Sequence, residues 1–163
     1  MKILGIDPGY DRVGIAIIEK LPKQKEVVLY SDCFQTSAKD SFFTRLGQVG
    51  EEISQVIKKY SPETLAIESL FITKNQKTAM HVSEARGVII YEAIKHGLTV
   101  HEYTPPQIKM AVTGYGSSDK DHVIKMIPLL VKMSKKKAKD DEYDAIAVAL
   151  TCLASEGKGY PQK

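Results

Sequence analysis

The sequence has little cysteine, no long hydrophobic run and almost no net charge. Its two cysteines, Cys33 and Cys152, are too few and too far apart in the chain to indicate a disulfide framework or a zinc site, so we expect reduced, buried thiols. The N-terminus lacks the apolar core of a signal peptide because Asp7 interrupts it. No stretch approaches the roughly 18 apolar residues that a membrane span needs. These absences predict a cytoplasmic protein with no membrane partner.

The charge balance and the length limit what can be said about binding partners and domain organisation. The 23 basic and 20 acidic residues give a net charge of +3, which neither establishes nor excludes a polyanionic partner, because the placement of the basic residues decides it. A chain of 163 residues is long enough to bury a core. We expect one domain over residues 1–156 and a flexible tail over 157–163.

Phosphate-binding loops of nucleotide enzymes are also missing. The stretch Gly114–Lys120 resembles a glycine-rich loop, but its third glycine is absent and it does not directly follow a predicted strand. No Walker-type Gly-Lys-Ser/Thr sequence occurs. These features argue against dinucleotide binding.

The most informative stretch that is present opens the chain, ILGIDPG from Ile3 to Gly9. Its apolar residues predict a strand covered on both faces. Pro8 and Gly9 end that strand in a turn, which leaves Asp7 at a rigid strand end. A carboxylate in this position must meet a cation, a hydrogen-bond donor or water. The alternative is that Asp7 merely caps its own turn.

Apolar runs and helical periodicity predict an α/β fold with a mixed five-stranded sheet flanked by helices. The first three strands form an antiparallel meander, and a helical crossover makes the fourth strand parallel to the first. Asp7 and Glu68 would then end neighbouring strands at the same edge, although Glu68 alone could be an ordinary exposed acid. The predicted strands are 3–6, 13–18, 27–34, 64–68 and 99–103. The predicted helices are 41–60, 83–96, 107–112, 119–133 and 140–154. Ser118 is the predicted cap of the fourth helix, which runs to about residue 133 with a kink at Pro128.

Two further acids lie at the start of the last predicted helix. Asp141 and Asp144 are three residues apart, which places both on one helix face with Cβ atoms about 5 to 6 Å apart. The helix dipole explains one acid in a first turn. It explains two beside an apolar helix face less well.

If these four acids converge, each close pair repels by roughly 4 kcal/mol at 4 Å and an effective dielectric constant of 20. Such a cluster needs divalent cations. Oxygen ligands without His or Cys favour Mg²⁺, with Mn²⁺ as the alternative, over zinc. Two ions about 3.5 to 4 Å apart would suit in-line hydrolysis of a phosphodiester.

Several motifs, taken in order along nearly the whole chain, resemble the RuvC family of Holliday junction resolvases. They are Ile6-Asp7-Pro8-Gly9, Ala66-Ile67-Glu68 followed by Phe71, Ala85-Arg86-Gly87-Val88, Gln107-Ile108-Lys109, Gly114 to Lys120, and Asp141 to Ala147. The resemblance implies an RNase H-like fold and a homodimer that nicks a four-way DNA junction symmetrically in recombination and repair. It also implies a branch-migration helicase complex as a partner.

The resemblance assigns roles to individual residues. Asp7, Glu68, Asp141 and Asp144 match the metal-binding carboxylates of the family. Lys109 and Lys120 match lysines that touch or neutralise the scissile phosphate, and Phe71 matches an aromatic that stacks on a base near the crossover. The further DNA-binding candidates are Lys74, Asn75, Lys77 and Arg86, together with the basic run Lys132 to Lys139.

Three alternatives stay open at this stage. An actin- or Hsp70-like ATPase also opens with a strand, an acid and a glycine turn, but it needs a second lobe that this chain has little room for. A non-catalytic junction-binding module would keep the fold without cutting. For the dimer, the candidate interface is the apolar stripe of the helix 83–96, formed by Ala85, Val88, Ile89, Ala93 and Ile94. For the basic run, a solvated surface loop is the common alternative.

Overall fold

The computed structural model describes residues 1–70, 76–133 and 138–155, without the side chains of Gln76 and Lys77. Strands come first along the chain and helices dominate its second half. The elements in chain order are β1 (Lys2–Asp7), β2 (Arg12–Glu19), β3 (Val27–Gln35), α1 (Phe42–Tyr60), β4 (Thr64–Glu68), α2 (Gln76–Lys95), β5 (Thr99–Tyr103), α3 (Pro105–Thr113), α4 (Lys120–Leu130) and α5 (Asp140–Ser155).

The five strands form one mixed sheet in the order β3-β2-β1-β4-β5. The pairs β1–β2 and β2–β3 are antiparallel, whereas β1–β4 and β4–β5 are parallel. Ile6 of β1 lies opposite Ile67 of β4, so Asp7 and Glu68 end adjacent strands at the same edge. The predicted meander and the predicted parallel crossover are both confirmed.

The two faces of the sheet bury different helices because side chains alternate along each strand. Leu4 and Ile6 of β1 face a core shared with α1 and α2. Ile3 of β1 and Ala66 of β4 face the opposite core, which α5 fills together with α3 and α4. Asp7 follows Ile3 at an even spacing, so its side chain lies on the α5 face.

Two glycines let α5 lie directly on this face. A Cβ atom on Gly5 would come within 2.3 Å of the carbonyl oxygen of Ala145 and within 2.7 Å of the Ala149 Cβ. A Cβ atom on Gly14 would come within 2.0 Å of the carbonyl oxygen of Asp141. The absence of both side chains therefore sets how closely α5 approaches β1 and β2.

The second helix differs from its predicted bounds and from its predicted role. It begins at Gln76 rather than Ser83, because no Gly or Pro interrupts the chain between them and Ser83 continues the helix instead of capping it. Its apolar stripe is fully buried at Ala85, Ile89 and Ala93 inside the subunit. Ile94 of the same predicted stripe is 61% exposed, so the structure removes Ala85, Ile89 and Ala93 from the predicted dimer interface and leaves Ile94 accessible.

The helix α3 begins earlier than predicted. Pro105 and Pro106 occupy its first turn, where a missing N–H costs nothing, rather than preceding the helix. Thr104 caps this turn, and its side chain and that of Gln107 form a reciprocal capping box.

The helix α4 also differs at both ends. Its cap is Asp119, whose carboxylate accepts a hydrogen bond from the His122 N–H, rather than Ser118, whose hydroxyl lies 2.7 Å from Thr113 Oγ1. It ends at Leu130, so Pro128 lies in its last turn and not in the middle.

Cys33 and Cys152 are buried thiols outside any disulfide, as predicted. Among the described helices, none is long and apolar enough to cross a bilayer.

Candidate active site

The candidate site lies at the edge of the sheet where β1 and β4 end. Asp7 is the last residue of β1, and Glu68 is the last residue of β4. Ala66 packs in the core on the α5 face, and Glu68 is two residues further along the same strand. Strand alternation therefore directs both carboxylates to the face that α5 covers.

The first turn of α5 brings two more acids to this edge. Asp141 and Asp144 lie in α5, whose backbone rests on Gly14 of β2. Gly14 pairs directly with Asp7 across β1 and β2, and a Cβ atom there would lie 3.1 Å from the Asp7 Cβ. The close approach at Gly14 is thus what places the start of α5 beside Asp7.

Three of the four acids and two lysines surround one open cavity of about 390 Å³. Lys109 enters it from α3, and Lys120 enters it from the first position of α4. The residues that line it are Asp7, Glu68, Pro105, Ile108, Lys109, Lys120, Val123, Asp144 and Ala147. Three of the four predicted carboxylates and both predicted lysines therefore share this cavity.

Asp141 lies beside the cavity and does not line it. Its carboxylate is 3.9 Å from the exposed guanidinium of Arg12, at the start of β2. Its negative charge still raises the pKa of Asp7 and that of Asp144. All four predicted acids are therefore electrostatically coupled through Asp7 and Asp144.

Burial is the largest cause of the raised pKa of Asp7, which moves from its ordinary 3.8 to about 7. The neighbouring charges of Glu68 and Asp144 add to this increase, and the positive charge of Lys120 offsets part of it. Burial and the charge of Asp144 likewise raise the pKa of Glu68, whereas Lys109 and Lys120 lower it. The site holds more negative charge than its two lysines neutralise.

Lys120 is the cation in closest contact with these acids. Its Nζ donates a hydrogen bond to Asp144 Oδ2 at 2.9 Å and lies 3.4 Å from Asp140 Oδ2. Burial alone would lower the pKa of Lys120, but the bonds and charges of Asp144 and Asp140 outweigh burial and raise it. Lys120 is therefore held in its charged form.

The chemistry of this donor set fits a hard divalent cation. Its members are carboxylates, which Mg²⁺ and Mn²⁺ prefer, and burial together with the charges of neighbouring carboxylates raises the pKa values of Asp7, Glu68 and Asp144, which a bound cation would oppose. Among the described residues, no three Asp, Glu, His or Cys side chains lie together in a geometry that already holds an ion. The present side-chain positions instead pair Asp144 with Lys120.

The predicted DNA-binding residues are placed less completely. Phe71, Lys74 and Asn75 lie outside the described residues, as does the side chain of Lys77. In the basic run 132–139, residues 134–137 also lie outside them. These assignments stay predictions.

Arg86 is described, and it is largely buried. Its Nε donates to the carbonyl oxygen of Glu68 at 3.2 Å, and its guanidinium lies 2.7 Å from Glu102. Only 15% of its side chain is exposed. This placement favours a role in holding the end of β4, while a DNA contact by Arg86 stays a prediction.

Sequence reasoning missed Arg12, Gly14 and Glu142. Glu142 is 4% exposed and accepts a hydrogen bond from Ser31 on β3. The signal for it was partial, because Glu at the third position of a helix can bond back to the N–H of the cap residue as in a capping box, but Lys139 stands where that motif has Ser or Thr. For Gly14 the signal was weaker, since a strand glycine only suggests a close approach by something unspecified.

Comparison with known proteins places this geometry among nucleases. The family model described as crossover junction endodeoxyribonuclease RuvC matches residues 3–152. A protein of that name from Thermosipho melanesiensis is 44% identical over 156 residues, which cover 96% of this chain and 98% of the relative.

Solved structures agree with this match. The structure of Thermus thermophilus RuvC superimposes with a TM-score of 0.85 at 27% identity and covers 95% of both chains. The same protein in complex with a Holliday junction substrate gives a TM-score of 0.87 at 25% identity, with 98% of this chain and 97% of the other covered. The RNase H-like α/β fold expected from the sequence is confirmed.

Proposed function

The chain belongs to the RuvC family of crossover junction endodeoxyribonucleases, and from this membership we infer that it is an endonuclease that resolves four-way DNA junctions. The observation that carries the inference is the cavity where Asp7, Glu68 and Asp144 meet Lys109 and Lys120. Acids that hold metal ions suit in-line phosphodiester hydrolysis, and lysines beside them would stabilise the charge of the phosphate.

The cofactor we propose is Mg²⁺, with Mn²⁺ as an alternative and two ions per site. Asp7, Glu68 and Asp144 would hold it, with Asp141 beside them. When bound, such ions supply Lewis-acid activation of water and stabilise the leaving oxygen. The raised pKa of Asp7 supports this assignment, because a cation restores the charge balance that burial disturbs.

The two lysines have separable tasks in this proposal. Lys109 lies near Glu68, whose pKa its charge lowers, and it projects into the cavity from α3. It would contact the scissile phosphate and stabilise the added negative charge there. Lys120 is held charged by Asp144 and Asp140, so it would keep the carboxylates ionised and oriented at the same site.

Paired symmetric nicks require two active sites related by two-fold symmetry, so we propose a homodimer. The exposed face of α2 supports it, because Met80, Tyr91 and Ile94 are each more than 60% exposed there. Ile94 belongs to the predicted stripe, and Met80 and Tyr91 extend the candidate interface along the exposed face of α2. A substrate with two equivalent strands to cut fits two copies of this chain.

Phosphate contacts by Lys74, Lys77 and the basic run 132–139 would supply affinity without reading sequence. We expect junction binding to weaken steeply as salt increases, since each phosphate contact releases counterions. A flat salt response would contradict these contacts. We also propose a branch-migration helicase as a partner. We propose that the protein acts in the cytoplasm, where its two buried thiols stay reduced.

The decisive experiment incubates the chain with Mg²⁺ and a labelled four-way junction, a plain duplex or ATP. Symmetric nicking of the junction alone supports the resolvase. Turnover of ATP would indicate the actin-like alternative, and junction binding without cutting would indicate a non-catalytic module.

A further inference from the structure

A buried carboxylate lies in the first turn of α5, between the two acids assigned to the active site. Glu142 is only 4% exposed, although Asp141 directly precedes it and Asp144 follows two residues later. An ionised group is rarely buried this deeply, because it loses its hydration. The fold must therefore hold Glu142 with specific hydrogen bonds.

The two oxygens of this carboxylate bond to different parts of the fold. Oε2 accepts a hydrogen bond from the Ser31 hydroxyl at 2.6 Å, and Ser31 on β3 is itself 1% exposed. Oε1 accepts one from the backbone N–H of Lys139 at 3.1 Å, just before the helix. One side chain thus joins the start of α5 to a strand 111 residues earlier in the chain.

The other directional contacts described for this turn come from exposed side chains: Lys120 bonds to Asp144 and lies 3.4 Å from Asp140, and Arg12 lies 3.9 Å from Asp141. Gly14 allows the backbone of Asp141 to approach the sheet, but this close approach does not by itself fix how α5 is rotated about its axis or where it lies along that axis. The body of α5 is held by apolar contacts with β1 and β2, which are also non-directional. A short hydrogen bond from Ser31 restrains both the rotation and the translation of the first turn.

We propose that Glu142, tethered by Ser31, is a positioning residue that fixes the first turn of α5 and thereby holds Asp141 and Asp144 in place relative to Asp7. This inference rests on the proposed function of those acids as metal ligands. Neither Glu142 nor Ser31 contacts the substrate in this proposal. Loss of the tether displaces two ligands at once, without removing any group from the site.

The test compares four variants. Ser31→Ala removes the donor and leaves Glu142 in place, whereas Glu142→Ala removes the whole tether. Glu142→Gln keeps both bonds, because its amide oxygen still accepts from the Lys139 N–H and its amide nitrogen donates to the Ser31 oxygen. Thr151→Val is the matched control, since it deletes another buried hydroxyl of α5, which bonds only locally at 2.8 Å to the Ala147 carbonyl.

Four quantities are measured on the full chain: kcat and KM for junction cleavage in Mg²⁺, Mn²⁺ affinity by calorimetry, and hydrogen exchange at the Glu142 and Tyr143 amides. We expect Ser31→Ala and Glu142→Ala to lower kcat and Mn²⁺ affinity by about 10- to 100-fold while KM changes little. Exchange at the two amides should accelerate in the same variants. Glu142→Gln and Thr151→Val should stay within about threefold of the wild type.

Three results would overturn the tether. Unchanged cleavage and exchange in Ser31→Ala would show that the bond positions nothing. Equal losses in Glu142→Gln and Glu142→Ala would show that the charge acts, not the bonds. Equal losses in Thr151→Val and Ser31→Ala would show a general packing effect. If Glu142→Ala does not fold, the comparison rests on Ser31→Ala. If the wild-type chain cuts no junction, the proposed function is refuted, but hydrogen exchange still tests whether the Ser31–Glu142 bond fixes the first turn of α5.

Discussion

Two cavities of similar volume lie on either side of α3, and they differ in charge. The acidic cavity, of about 390 Å³, contains Asp7, Glu68, Asp144 and two lysines. The neutral cavity, of about 410 Å³, is lined by none of the charged residues that the structure describes. Its lining is Tyr103, Pro106, Gln107, Met110, Ala111, Gly116, Thr151, Ala154 and Ser155. Size therefore does not distinguish the candidate active site, whereas buried charge does.

The polar groups of the neutral cavity are uncharged and bond to one another or to their own helix, whereas the acidic cavity buries carboxylates whose pKa values are raised. Tyr103 and Ser155 share a hydrogen bond of 2.8 Å, and Thr151 bonds to its own helix. In the acidic cavity, Asp7 stays under-compensated, and its pKa rises to about 7. The fold thus buries carboxylates in only one of these two cavities of similar volume. Buried charge that lowers stability is typical of a functional site.

The largest effect should follow from removing one charge of the acidic cavity. We expect Asp7→Asn to lower junction cleavage in Mg²⁺ by more than about 1,000-fold, because a ligand central to the site is lost. Junction binding should persist, since the phosphate contacts remain. The measurement is cleavage of a labelled junction beside a gel-shift assay in Ca²⁺. Normal cutting by this variant would show that the charge of Asp7 in the acidic cavity is not needed for cleavage.

The next effect concerns stability in the absence of metal. Because the folded-state pKa of Asp7 is raised from 3.8 to about 7, the folded chain binds more protons than the unfolded chain between these values, and stability falls as pH rises. The penalty begins above about pH 4 and is complete above about pH 7, at most about 4 kcal/mol.

Urea unfolding in EDTA at pH 5 and pH 8 measures this penalty, and Asp7→Asn is the control that isolates it. The variant should lose less stability over this interval than the wild type, and it should be the more stable of the two at pH 8. Equal pH dependence in both chains would show that Asp7 is not under-compensated.

A smaller effect should follow from removing a cation of the acidic cavity. We expect Lys120→Met to lower cleavage by about 100-fold, because Asp144 loses its hydrogen-bonded counter-charge and the site loses positive charge. Lys125→Met is the matched control on the same helix, since Lys125 is exposed and outside the cavity. Equal cleavage by the two variants would assign Lys120 to the surface.

The smallest effect is expected in the neutral cavity. Met110 lines it and is 53% exposed. Met110→Ala should change the free energy of unfolding by less than about 0.5 kcal/mol and cleavage by less than about twofold. Chemical denaturation and the junction assay measure both. A large loss of cleavage would show that the neutral cavity also takes part in function.

The sequence by itself predicted the elements that carry the site. An apolar run that ends in Asp7 and another that ends in Glu68 indicate strand ends, because strand periodicity and turn residues are local properties. The spacing of Asp141 and Asp144 indicates one helix face for the same reason. The element bounds were less reliable: α2 begins seven residues earlier than Ser83 because a serine can continue a helix as well as cap it.

Only the tertiary structure decided which groups meet. It buried Ala85, Ile89 and Ala93 of the predicted interface stripe of α2, set Asp141 beside Arg12 and outside the cavity, and joined Ser31 to Glu142. The last two outcomes depend on how closely α5 approaches the sheet at Gly5 and Gly14. That approach is a packing distance between segments far apart in the chain, and local periodicity contains no information about it.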